Sequence, residues 1–118
     1  MKIVVVDDDP VVGILCEELF SHAGHTVQIL NKGSECLEHI KNNPPDVLIL
    51  DMIMPDISGI EILRQIKANS EISQIPVIML SANLDIEAMV KENDVEANGY
   101  VQKPFKIPEM LQALKDIG

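Results

Sequence analysis

Short apolar runs that break into acids or hydroxyls alternate along this chain with segments whose apolar residues recur at helical spacing. Lys2 to Val6 (KIVVV) is the first run, too short for a helix and rich in branched side chains, and it predicts a buried strand. A helix over about Val11 to Ala23 follows, with Pro10 at its start, Asp9 as N-cap and Gly24 as a left-handed stop. At helical spacing Val12, Cys16, Leu19, Phe20 and Ala23 form a core stripe, while Val11, Ile14 and Leu15 fall on the side that should face water. Thr26 to Leu30 alternates apolar and polar, as a half-exposed edge strand does. Asn31 to Asn43 holds a short helix with Cys36, Leu37 and Ile40 inward. Val47 to Leu50, bounded by Pro44-Pro45 and Pro55, is a strand buried on both faces. Gly59 to Ala68 is a helix capped by Ser58, with Ile62, Leu63 and Ile66 inward, and Asn69 to Gln74 is polar linker. Ile75 to Leu80 tolerates Pro76 at the start of a fourth strand. Asp85 to Glu92 is a weak, mostly charged helix gripped by Ile86, Met89 and Val90. Gly99 to Gln102 is a short edge strand, and about Pro108 to Ile117 a last amphipathic helix.

Five alternations of strand and helix require a parallel sheet with right-handed crossovers and helices on both faces. The most apolar strands, the first, third and fourth, belong in the centre, which gives order 2-1-3-4-5, the flavodoxin-like doubly wound fold. In such sheets ligands sit beyond the carboxyl ends of the strands, at the switch point between the first and third. Asp7 and Asp8 end the first strand, Asp51 the third, Ser81 the fourth and Lys103 the fifth. One rim therefore gathers three acids, a hydroxyl and a cation. Two carboxylates held within about 4 Å repel by on the order of 4 kcal/mol at an effective dielectric near 20, so a cation is expected there, and crowded oxygen ligands suit Mg²⁺. Such a pocket would accept a transferred phosphoryl group.

Composition narrows the alternatives. The 118 residues are 47% hydrophobic, enough for one domain with a core of its own. A net charge of −10 with only nine Lys and Arg argues against a direct nucleic-acid surface. Cys16 and Cys36 lie in helical apolar patterns and read as small hydrophobes. No signal peptide and no apolar run of membrane length is present in the sequence, so a cytoplasmic protein is expected.

VVVDDDP, LILDMIMPDISG, IMLSA and YVQKPF, in this order and over nearly the whole chain, resemble the receiver domain of two-component response regulators. The resemblance implies that Asp51 is the phosphoacceptor, taking its phosphoryl group from a sensor histidine kinase or a histidine phosphotransfer protein. It implies a Mg²⁺ site, open also to Mn²⁺, made by Asp8, Asp51 and the Ile53 carbonyl, with Asp7 acting mainly through a metal-bound water. Lys103 would contact the phosphoryl oxygens, Ser81 would be the switch hydroxyl and Tyr100 the switch aromatic. The Lys103-Pro104 bond is similar to one the family holds cis. Val11, Ile14 and Leu15, with Pro104 and Phe105, would form the donor-docking surface, and a homodimer formed on phosphorylation is open.

Two departures stand out. Glu96-Ala97 replaces the family's usual Gly-Ala, so the fourth helix cannot end on a glycine there, its end is left open, and Asn98 or Gly99 is expected to take the turn instead. Gly13 sits mid-helix, at a cost of about 1 kcal/mol with no return evident in the sequence. Two other functions share this topology. A Mg²⁺-dependent aspartyl-phosphate phosphatase would need a second acid two residues after its nucleophile, where this chain has Ile53. A flavin module would need a phosphate loop that three consecutive aspartates repel.

Overall fold

The computed structural model describes residues 1–83 and 85–117. Its elements run β1 (Lys2–Val6), α1 (Pro10–His22), β2 (Thr26–Leu30), a single 3-10 turn (Gly33–Glu35), α2 (Cys36–Asn42), β3 (Val47–Asp51), α3 (Gly59–Ala68), β4 (Val77–Ser81), α4 (Ile86–Lys91), β5 (Gly99–Gln102) and α5 (Ile107–Ile117). The strands form one sheet in the order β2-β1-β3-β4-β5, and every neighbouring pair is parallel. The expected order and the central place of β1, β3 and β4 are found.

Strand alternation splits the core into two layers. Val4, Val6, Leu48, Leu50, Val77 and Met79 pack on one face with Cys36 and Ile40 of α2, Ile62, Leu63 and Ile66 of α3, and Ile86 and Val90 of α4. Ile3, Val5, Val47, Ile49, Ile78 and Leu80 pack on the other with Val12, Cys16 and Phe20 of α1 and Met110 and Leu114 of α5. Each fully buried aliphatic side chain contributes about 1.5–3 kcal/mol, so the central strands anchor the rim on which the polar groups stand.

As expected, α1 starts at Pro10, in the first helical turn. Several other local expectations are corrected. Ala23 is the C-cap of α1 and is exposed, because the helix has already left the sheet there; the left-handed residue is Gly24, with φ 87°. Gly13 does have a return. A Cβ there would lie 2.9 Å from Cγ2 of Ile29, so its absence lets α1 settle onto β2. The stretch from Asn69 to Gln74 is polar except for Ile72, which is buried and seals the layer beneath α3, and β4 begins only after Pro76. The fourth helix ends at Lys91, and the left-handed turn after it belongs to Asp94, with φ 60°, rather than to Asn98 or Gly99. Asn98 serves the sheet instead, where its side chain accepts the Val77 N–H at 2.9 Å and pins the start of β4.

Among the described glycines, the tightest approach lies next to the rim. Gly59 opens α3 directly against β3, its N–H bonded to the Met52 carbonyl at 2.7 Å, and a Cβ there would overlap the Asp51 backbone carbonyl. Backbone cannot yield as a flexible side chain can, so Gly59→Ala should cost about 2–3 kcal/mol, the upper part of the overpacking range. Urea denaturation measures it, and a midpoint equal to the parent's would show that this approach is looser than described.

Candidate functional site

Parallel pairing carries β1, β3 and β4 to a common carboxyl edge, with Val6 opposite Leu50 and Asp51 opposite Leu80. The residue after each register pair inherits that position. Asp7 and Asp8 follow β1, Asp51 ends β3, Ser81 ends β4, and Lys103 follows β5 with its N–H on the Ser81 carbonyl at 2.7 Å. Carboxylate oxygens of Asp7, Asp8 and Asp51 lie within 4.8 Å of one another, and among the described residues this is the acidic group able to hold a metal. Asp7 and Asp51 are buried, whereas Asp8 is exposed at the mouth.

Lys103 reaches over both buried acids. Its Nζ lies 2.7 Å from Oδ2 of Asp7 and 3.3 Å from Oδ1 of Asp51. Asp7 spends its other oxygen on the chain itself, accepting the Asp9 N–H at 2.9 Å. Its fully buried Oδ2 faces the ammonium at ion-pair distance but without the alignment of a hydrogen bond, leaving an orphaned oxygen aimed into the pocket. Three carboxylates, one of them exposed, and an unsatisfied buried oxygen fit a hard divalent cation with oxygen ligands.

The electrostatics follow from this crowding. Burial first, and the charge of Asp7 second, push the Asp51 carboxyl up to about 6, against the opposing pull of Lys103 and of the Ile53 backbone N–H. For Lys103 burial acts downward, but the two carboxylates outweigh it and its pKa is raised, so it stays an ammonium. Cys16 lies close enough to feel both Asp7 and Lys103; burial and then Asp7 push its thiol to about 12, and burial does the same to Cys36. Both cysteines are free, buried and inert, as their apolar patterns predict.

The remaining candidates divide. Ser81 is buried at the rim, and its Oγ accepts the Asn83 N–H at 3.0 Å, which leaves its own proton to donate. Asp9 is the N-cap of α1, accepting from the Val11 N–H. Tyr100 is turned away from the acids: its ring packs with the α4 side of the core and its hydroxyl accepts the Ala97 N–H at 3.0 Å. The Lys103–Pro104 peptide is cis. Ile53 is 71% exposed beside the site, and Val11, Ile14 and Leu15 are 58%, 68% and 53% exposed on α1. Phe105 packs against the cluster that contains Val12 and Cys16, while Pro104 is exposed. Ile107, 57% exposed, opens α5 one residue before the helix that the sequence places at about Pro108.

A raised Asp51 pKa has a definite sign in stability. The folded protein holds that proton more tightly than the unfolded chain, so stability is lost as pH rises from the ordinary value of 3.8 towards about 6. Asp51→Asn carries no such charge. In metal-free buffer it should be more stable than the parent at neutral pH by on the order of 1–2 kcal/mol, and the two should converge below the window. Urea titrations across pH check this, and an asparagine variant no more stable at neutral pH would mean that the Asp51 charge carries no net penalty from its burial and from Asp7.

A family model described as the response regulator receiver domain matches residues 3–115. The response regulator MprA of Mycobacterium ulcerans is 34% identical over 98% of this chain, which covers 49% of that protein. The chain thus spans about half the length of the curated relatives it matches. Among solved structures, the chemotaxis response regulator CheY4 of Vibrio cholerae superposes with a TM-score of 0.90 at 26% identity, covering 99% of this chain and 98% of that one. A response regulator receiver domain protein of Clostridium thermocellum superposes with a TM-score of 0.84 at 29% identity, over 98% and 92% of the two chains. A model match running from β1 into α5, with sequence relatives and folds agreeing over the same span, leads to one conclusion: the chain belongs to the receiver domains of response regulators.

Proposed function

We propose that Asp51 is the phosphoacceptor of this receiver and that Asp7, Asp8 and the Ile53 carbonyl join it in holding Mg²⁺. The observation that carries the reading is the bridge of Lys103 between two buried acids, with a third carboxylate at the mouth. An Asp51 oxygen attacks the phosphorus of a phosphohistidine; the new P–O bond forms as the P–N bond breaks, and the imidazole nitrogen leaves with the electron pair. Bound Mg²⁺ supplies charge neutralisation for the acids and the transferring oxygens. The Lys103 ammonium would add to that neutralisation, its backbone N–H bonded to the Ser81 carbonyl. The Ser81 hydroxyl, accepting from the Asn83 N–H, donates a hydrogen bond to a phosphoryl oxygen. Loading Asp51 exchanges the carboxylate partner of Lys103 for a phosphoryl oxygen and claims the Ser81 hydroxyl, so the β4–α4 connection and Tyr100 are the parts that answer.

The reaction is the receiver's own modification, not turnover of a metabolite, and Ile53 in place of a second acid supports that choice over a phosphatase. The donor is a histidine kinase or histidine phosphotransfer protein, met by the exposed apolar residues Val11, Ile14 and Leu15 with Pro104 and Phe105. A cytoplasmic setting goes with such a donor, and no described helix is long and apolar enough to cross a membrane. What the receiver controls lies with the other half of such regulators or with a separate partner.

Incubation with Mg²⁺ and acetyl phosphate, read by intact mass, should add one phosphoryl group to the parent and none to Asp51→Asn. Equal labelling of the two would place the acceptor elsewhere, and labelling that survives chelation of Mg²⁺ would remove the metal from the reading.

A further inference from the structure

Seven residues without regular structure, 52–58, join β3 to α3, and they carry Ile53 beside the site. At its base this loop is fixed by the Gly59 N–H on the Met52 carbonyl and by the buried side chains of Met52 and Met54. At its tip it is fixed by one carboxylate. Asp56 accepts the Ser34 N–H at 2.9 Å and the Gly33 N–H at 3.3 Å, from the turn after β2, and the Ile57 N–H of its own loop at 3.1 Å. That turn has no cap of its own, for neither Lys32 nor Glu35 makes a side-chain capping bond. Asp56 supplies the missing cap from a segment more than twenty residues away in sequence, and the amide bonds of Ser34 foremost hold its carboxyl below the ordinary range. The two segments also fit closely. A Cβ on Gly33 would collide with Ile57 and crowd Ile62 and Met54, so the loop lies directly on the turn.

We propose that Asp56 is a positioning residue for phosphoryl acceptance: by tying the loop tip to the Gly33–Ser34 amides it sets where the Ile53 carbonyl stands relative to Asp51. The inference rests on the reading of Asp51 and its neighbours as a Mg²⁺-dependent phosphoacceptor. Only Met54 and Pro55 lie between Ile53 and the tether, and Pro55, with its fixed φ, stiffens that path. The Ile53 side chain is exposed and packs on nothing that would hold the loop, and its backbone N–H reaches only Asp51 itself. A carbonyl on an untethered loop would still reach the metal, but it would have to be ordered at each binding event, and that cost appears as weaker affinity. The carboxylate is itself exposed, so its removal leaves no buried charge unpaired, and the fold should survive the test.

Calorimetric titration of the metal-free protein with Mg²⁺ reads the effect directly. Asp56→Ala should weaken Mg²⁺ binding about tenfold, the low end of what outer partners of metal ligands contribute. Asp56→Asn, which keeps an acceptor oxygen but not the charge, should fall between the two. Ile40→Val, a core change in the same layer, should lower the melting temperature while keeping the parent's Mg²⁺ affinity. Phosphoryl uptake by Asp56→Ala at saturating Mg²⁺ should approach the parent's extent. An Asp56→Ala protein with the parent's Mg²⁺ affinity would overturn the tether and leave the acceptor site standing, and so would a loss of affinity that Ile40→Val shares. A parent that neither binds Mg²⁺ nor gains a phosphoryl group would overturn both.

Discussion

Like-charge crowding at the carboxyl edge of a parallel sheet is the constraint from which the rest of this protein follows. Strands β1 and β3 are paired in register and buried on both faces, so their terminal acids cannot move apart without unpairing the sheet. Three carboxylates share a space under 5 Å across, and one ammonium partly compensates them. The raised carboxyl of Asp51 reflects its burial first and the charge of Asp7 second. A site held in this condition gains free energy from any cation that enters it, and in the proposed function its buried carboxylate, facing a fixed ammonium, would be the group that attacks phosphorus.

The connections around the rim differ in how firmly they are held, and the difference has a direction. On the β3–α3 side, Gly59, Met54 and Asp56 fix the loop at base and tip. On the β4 side, α4 spans only six residues and buries only Ile86 and Val90. Two hydrogen bonds lead into it from the site: Ser81 Oγ accepts the Asn83 N–H, and Asn83 Oδ1 accepts the Asp85 N–H at 2.8 Å. Its far end is tied to α3, where Arg64 donates to Asn93 Oδ1 and the Asn93 amide donates to the Met89 carbonyl. A change at the Ser81 hydroxyl therefore acts on the lightly held end of a short helix whose other end is anchored. Tyr100, bonded to the Ala97 N–H, lies on the edge strand that borders it.

Much of this was legible in the chain because the relevant signals are short-range. Runs of branched apolar residues ending in acid located the central strands and their order, and the same punctuation located Asp7, Asp8, Asp51, Ser81 and Lys103 on one rim. What escaped depends on pairs distant in sequence. Gly13 reads as a defect until Ile29 is seen against it, and the end of α4 is set by Asp94 in a stretch where Asn98 and Gly99 look better suited. Asp56 carries no local signal of its role, because the two amides it caps belong to residues 33 and 34. The expected polar linker concealed Ile72 because a single buried residue among polar neighbours has no period.

The central claim is that the native rim is under electrostatic tension which a divalent cation releases. Melting temperatures of the parent and of Asp8→Ala, in metal-free buffer and with Mg²⁺ at millimolar concentration, test it most directly. At a hundredfold excess over its dissociation constant, Mg²⁺ should stabilise the parent by about 2.7 kcal/mol. Asp8→Ala should melt above the parent without metal and respond to Mg²⁺ far less. Identical melting curves for the parent with and without Mg²⁺, or an Asp8→Ala protein that melts below the parent in metal-free buffer, would contradict the account.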